Sequence, residues 1–220
     1  DESETEPVEE TSIPDEPLVP DTTKPIISTP ADLVIEATGS LTTVDLGEAM
    51  AMDESGIQLI INNAPTLFPL GSSTIIWTAI DNNGNSAFAT QQVDVVDTTP
   101  PTISSISDII VEAVVPYDNI IELQAPSADD TLGIVSVTND APESFPIGET
   151  IVTWTATDVG GNTSSVEQKI TVFDTTFPIL QVPEDIVLEA TSLEHNEVHL
   201  GEATATDNGE IASITNDAPE

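Results

Sequence analysis

Aspartate recurs at regular distances along this 220-residue chain. Asp21, Asp97 and Asp174 each open an Asp-Thr-Thr tripeptide, at spacings of 76 and 77 residues. Asp53, Asp129 and Asp207 follow at matching places. Asp81 and Asp158 open the pentapeptides 81–85 and 158–162, which both end in Gly-Asn. Glu36, Glu112 and Glu189 each precede an alanine. Carboxylates are hard oxygen ligands, and several converging on one point suit Ca²⁺, which takes six to eight oxygens at about 2.3–2.6 Å. Asp and Asn also shape turns by bonding their own backbone two residues on. At the level of sequence both readings stand.

Other chemistries find fewer residues to work with. There is no cysteine, so neither thiolate nor disulfide is available. His195 and His199 are the only histidines. They lie four apart on a predicted strand, on one face with Glu197 between them, and read as solvated strand positions, with a transition-metal pair as the alternative. No Ser-His-Asp set recurs, and no glycine-rich phosphate loop follows a strand. Carboxylate pairs for glycoside hydrolysis can be drawn almost anywhere in so acidic a chain, so no enzyme is expected. Asn162-Thr163-Ser164 is an N-glycosylation sequon that its counterpart 85–87 lacks. Lys169 is replaced by Gln92 in the preceding repeat, so an isopeptide bond is not part of the pattern.

Forty acids face two lysines, for a formal charge of −38. Nucleic acid is excluded, because nothing here displaces counterions from phosphate. An anionic membrane surface is excluded likewise. No apolar run approaches the roughly 20 residues that span a bilayer, so no membrane insertion is expected in this segment. Ile, Val, Leu and Phe make up about 28% of the chain, above the roughly 20% that marks disorder. The exception is 1–20, where eight acids and four prolines with no base predict an extended arm. An acidic surface suits a salty, extracellular setting.

The elements that must position the aspartates read as short strands. In the first repeat these are 26–27 and 33–35, interrupted at Pro30, then 44–52, 57–61, 74–80 and 88–96, with a short strand near 67–70. Turn residues separate them. Several short strands at regular spacing predict an all-β sandwich. Val152, Trp154 and Ala156 alternate with threonines, which turns Trp154 inward. It reads as core rather than as a glycan-stacking platform.

Between the Asp-Thr-Thr marks a set of motifs keeps step: Glu-Ala at 36–37 and 112–113, Phe-Pro-x-Gly at 68–71 and 145–148, and Trp-Thr-Ala-x-Asp-x-x-Gly-Asn at 77–85 and 154–162. This pattern resembles the hyalin repeat (HYR) domain. The resemblance covers 21–173 fully and 174–220 in part. It implies tandem immunoglobulin-like antiparallel β-sandwiches in an extended array, in an extracellular or cell-surface protein with adhesive or scaffolding roles. It implies no catalytic residue. Many members carry a cysteine pair, which this chain lacks. The expected organisation is an arm at 1–20, units at 21–96 and 97–173, and an incomplete unit at 174–220.

Strands joined by short connections alternate up and down. That places Glu36 at the foot of the first unit, and Asp97, Asp129 and Asp158 at the head of the second. These four are read as one Ca²⁺ site at the junction, with Glu112, Asp174 and Asp207 forming the next. The expected role is a non-catalytic stalk, surface-layer or filament subunit, rigidified by interdomain calcium. Its partners are further copies or other surface proteins and glycans. The alternative is a spacer or glycan-binding module attached to a secreted enzyme.

Overall fold

A computed structural model describes residues 19–218, which form strands and, among the described residues, no helix. Contacts divide the chain between Val96 and Asp97 into two units. The first contains β1 (Ile26–Ser28), β2 (Leu33–Glu36), β3 (Leu41–Thr42), β4 (Met50–Met52), β5 (Ile57–Asn62), β6 (Phe68–Pro69), β7 (Gly71–Asp81) and β8 (Ser86–Val96). The second contains β9 (Thr102–Ile103), β10 (Ile109–Glu112), β11 (Ala128–Asp129), β12 (Ile134–Asn139), β13 (Gly148–Asp158), β14 (Thr163–Phe173), β15 (Ile179–Gln181) and β16 (Thr204–Thr206).

Each unit is built on a four-stranded sheet, β2-β8-β7-β5 in the first and β10-β14-β13-β12 in the second. The long hairpins β7–β8 and β13–β14 are antiparallel. The edge pairs β2–β8 and β10–β14 are parallel. The expectation of wholly antiparallel sheets is corrected there. The first and last strands of a unit run the same way and become neighbours once the sheet forms. The fold class is otherwise as read, all-β among the described residues.

Pro30 divides the first strand into β1 and β2 because it has no N–H for a ladder. The expected strand over 44–52 survives only as β4. Asp45 Oδ1 accepts the Gly47 N–H at 3.1 Å, and Gly47 sits at φ 75°, so a turn replaces extended backbone there. Val44, Leu46 and Ala49 still pack on the core.

That core is Phe68, Ile75, Trp77, Val93 and Val95 in the first unit. In the second it is Ala113, Phe145, Val152, Trp154, Ile170 and Val172. Trp77 is 6% exposed and Trp154 3%, which removes both from any ligand-stacking surface. Burial obliges each indole N–H to find an acceptor. Trp77 Nε1 donates to Gln91 Oε1 at 3.0 Å and Trp154 Nε1 to Gln168 Oε1 at 3.1 Å. Gln91 Nε2 donates onward to the Ala31 carbonyl, and Gln168 Nε2 to that of Ser107, each at 2.8 Å. A buried polar pair thus ties the central hairpin to the backbone leading into β2 or β10.

In 174–218 the strands β15 and β16 pair antiparallel, but Phe177, Val187 and Leu193 are almost fully exposed. The sequence there has no counterpart of Phe145 or Trp154 to cover them.

Candidate metal centres

The hairpin turn between β7 and β8 is built around the carboxylate of Asp81, which is fully buried. Its Oδ1 accepts the N–H groups of Asn83 and Asn85, both at 2.8 Å, and its Oδ2 accepts Asn85 Nδ2 at 2.8 Å. Gly84 takes φ 89°, a left-handed conformation that glycine adopts without a Cβ clash. The second unit repeats the device. Asp158 accepts the Asn162 N–H at 2.8 Å and Asn162 Nδ2 at 3.1 Å. The two asparagines also reach back to the segment leading into the unit, Asn85 to the Asp21 carbonyl at 3.1 Å and Asn162 to that of Asp97 at 3.2 Å. Asn162 Nδ2 is thus engaged in holding the turn.

A second turn comes from Asp53, whose Oδ1 accepts the Ser55 N–H at 2.9 Å before Gly56. Its counterpart is Asp130, whose Oδ1 accepts the Leu132 N–H at 2.8 Å before Gly133. The third acid lies in the lead-in segment. Asp21 Oδ1 accepts the Thr23 N–H at 2.8 Å, and Asp97 Oδ1 that of Thr99 at 3.3 Å. These turns converge. Asp21, Asp53 and Asp81 bring ligand atoms within 4.8 Å of one another, and so do Asp97, Asp130 and Asp158.

Turn chemistry does not use up these carboxylates. Oδ2 of Asp21, Asp97 and Asp207 is buried with no hydrogen-bond partner. An ionised oxygen out of water without a partner is costly. Asp97 Oδ2 lies so close to the 158–162 turn that a Cβ on Gly160 would sit 2.6 Å from it. The donor set is all carboxylate oxygen, with no nitrogen or sulfur, which matches hard cations. Among the described residues no lysine forms an ion pair with these groups, and three such carboxylates repel one another unless a cation is shared among them.

The residues singled out in the sequence fall as follows. Asp97 and Asp158 meet. Asp129 does not join them; it is exposed on β11, opposite Thr102, and Asp130 takes its place. The repeat is one residue longer between Asp97 and this turn than between Asp21 and Asp53, and the glycines three positions after Asp53 and Asp130 mark the true alignment. Glu36 ends β2 in the other unit. Glu112, also at a strand end, accepts the Thr175 N–H at 2.7 Å. Asp174 and Asp207 are bridged by Thr176, whose hydroxyl reaches Asp174 Oδ1 at 2.7 Å and Asp207 Oδ1 at 3.5 Å. Among the described residues no histidine joins a metal-type group. Asp21, Asp53 and Asp81 were visible in the sequence as the head of the first unit, yet a site drawn only at junctions passes them over.

The Thr23 hydroxyl, then its N–H, holds the Asp21 carboxyl below the ordinary range. For Asp81, burial pushes upward, but the hydrogen bonds from Asn85 and Asn83 outweigh it and the net direction is down. A depressed carboxylate contributes stability that is complete above its unfolded pKa and is lost as pH falls through the folded one. In the presence of a chelator, acidifying from about pH 5 toward about pH 2 should lower the first unit's melting temperature steadily, read by Trp77 fluorescence. Asp81→Asn should flatten part of that slope. A melting temperature that rises on acidification would contradict the assignment.

Residues 96–172 match the HYR domain family. The chain carries an HYR domain there. It is 36% identical over 213 residues to hyalin of Strongylocentrotus purpuratus, covering 88% of this chain and 18% of that protein. To hyalin of Lytechinus variegatus it is 34% identical over 213 residues, covering 88% and 40%. The chain thus spans less than half the length of either hyalin. The sushi, von Willebrand factor type A, EGF and pentraxin domain-containing protein 1 of Rattus norvegicus is 29% identical over 162 residues, covering 69% and 4%. Among solved structures, Drosophila N-cadherin EC1-4 aligns at 12% identity with a TM-score of 0.34, over 69% of this chain and 50% of that one. HYR domains occur in extracellular proteins, and this chain is extracellular or at the cell surface. Among the described residues no helix is long and apolar enough to cross a membrane.

Proposed function

We propose that this chain is a non-catalytic structural and adhesive segment of an extracellular protein, built of repeated HYR units and stiffened by Ca²⁺ at the head of each. Residues 21–96, 97–173 and 174–220 are the repeats. The observation that carries the proposal is the pair of three-aspartate clusters, with the buried, unpartnered Oδ2 of Asp21 and of Asp97. Asp21, Asp53 and Asp81 would hold one ion, and Asp97, Asp130 and Asp158 another. Asp174 and Asp207 supply two of the three equivalent acids in the last repeat. A bound ion would replace repulsion between carboxylates with shared attraction and clamp three separate turns. Each turn belongs to a different connection, so the whole head of the unit would stiffen. Partners would be further copies or other surface proteins and glycans. The burial of both tryptophans supports a scaffold over a glycan-binding module.

Calcium titration tests this. Free Ca²⁺ at about a hundred times its Kd stabilises a folded unit by about 2.7 kcal/mol. For units of this size that is a rise in Tm of roughly 10–20 °C. The rise should reverse with chelator and be smaller with Mg²⁺, which demands near-octahedral geometry and dehydrates reluctantly. Identical melting in calcium and in chelator would remove the metal from the proposal.

A further inference from the structure

The outward face of the first unit's sheet is apolar where the second unit's is not. Opposite residues across antiparallel strands lie on the same face, with Cβ atoms about 4.5–5.5 Å apart. The register sets Leu59 against Ile80, Ile61 against Thr78, Thr78 against Phe88, and Ile76 against Thr90. Leu59, Ile61, Ile76, Ile80 and Phe88 therefore form one continuous patch on β5, β7 and β8, facing away from the Trp77 core. Phe88 is 66% exposed, and Leu59, Ile61 and Ile76 are exposed too. The matching residues of the second unit are Ser136, Thr138, Thr153, Thr157 and Ser165. Its exposed Val135 and Ile151 stand where the first unit has Gln58 and Thr74. The same sheet thus folds with serine and threonine at all five positions, and the fold does not require the apolar set.

We propose that this face is a docking surface for a protein whose contact is apolar at its centre and bordered by lysine or arginine. The charge around the patch selects that occupant. Asp94 lies on the same face of β8, where the Ser72 hydroxyl bonds it. Asp32 Oδ1 accepts the Gln92 N–H at 2.7 Å beside it. No lysine or arginine lies on β2, β5, β7 or β8. A second copy would bring Asp94 and Asp32 against their own images. The acidic residues 1–20 would add like charge as well. A basic rim instead meets opposite charge, which steers association and rejects wrong partners. The inference goes beyond the calcium reading and does not depend on it.

The test uses the full chain and a short labelled peptide of alternating lysine and leucine, whose period of two gives it one apolar and one basic face. Binding is read by fluorescence anisotropy at near-physiological salt. The variant Leu59→Ser, Ile61→Thr, Ile76→Thr, Ile80→Thr, Phe88→Ser takes the second unit's residues and leaves every charge in place. The wild type should bind the peptide at least roughly tenfold more tightly than this variant, since the buried apolar area is lost. A glutamate–leucine peptide should not bind. If the fivefold variant fails to fold, Phe88→Ser alone should weaken binding by roughly threefold or more. Equal affinity of wild type and folded variant would overturn the proposal, because binding would then be charge alone. So would a wild-type dimer in sedimentation that the variant abolishes, because the occupant would then be a second copy.

Discussion

Trp154→Ala should unfold the second unit at room temperature and leave the first intact. Removing a buried tryptophan side chain costs about 3–5 kcal/mol. The substitution also strands Gln168 Oε1, whose partner is the Trp154 N–H. A buried acceptor left unpaired adds about 1–3 kcal/mol. Domains are stable by roughly 5–15 kcal/mol, and small ones sit at the low end. The sum therefore consumes most or all of the unit's margin. Trp77 remains as the only tryptophan and lies in the first unit. Its fluorescence transition should keep the wild-type midpoint while the far-ultraviolet dichroism loses about half its β amplitude. Trp154→Phe separates the two costs, because the ring is largely kept and only the N–H goes; it should cost about 1–3 kcal/mol. Full-amplitude, single-step unfolding of Trp154→Ala would show that the units are not independent and that the core is not centred where the contacts place it.

The second large effect is a contrast between neighbours. Asp130→Asn should abolish most of the calcium-dependent rise in the second unit's melting temperature, and Asp129→Asn should leave it intact. Trp77→Phe in both backgrounds makes Trp154 the sole reporter of that unit. Asn keeps one oxygen, so the turn hydrogen bond to the Leu132 N–H survives, and the metal-free variant should melt at or slightly above the wild type. What it loses is one negative charge of three. Calcium affinity depends steeply on the charge count of the site. The rise of roughly 10–20 °C expected at saturating calcium should shrink to a few degrees. If Asp129→Asn were the damaging change, or if both were silent, the triad would be a turn device without a metal.

This contrast also marks the limit of reading along the chain. Asp53 and its glycine three residues later announce a turn through contacts that reach only a few positions. The same local grammar holds at Asp130 and Gly133. Counting at a constant repeat length lands one residue early, on Asp129, because an extra residue intervenes after Asp97. A ladder has a period of two, so one position separates an exposed strand residue from a turn ligand.

The broken first strand, the inward phase of Trp154 and the repeating turns were all present in the sequence, because each is decided by neighbours within a few residues. Pro30 interrupts a ladder wherever it stands, and alternation points a side chain whatever sheet it joins. Tertiary structure alone decided that the first and last strands of a unit lie side by side in parallel. It alone made Gln91 and Gln168 the partners of the tryptophans. It alone brought the carboxylates of the lead-in segment and two separate turns to a single point. Those contacts join residues some 14 to 60 positions apart, and nothing local encodes a distance between two strands until the sheet between them has formed.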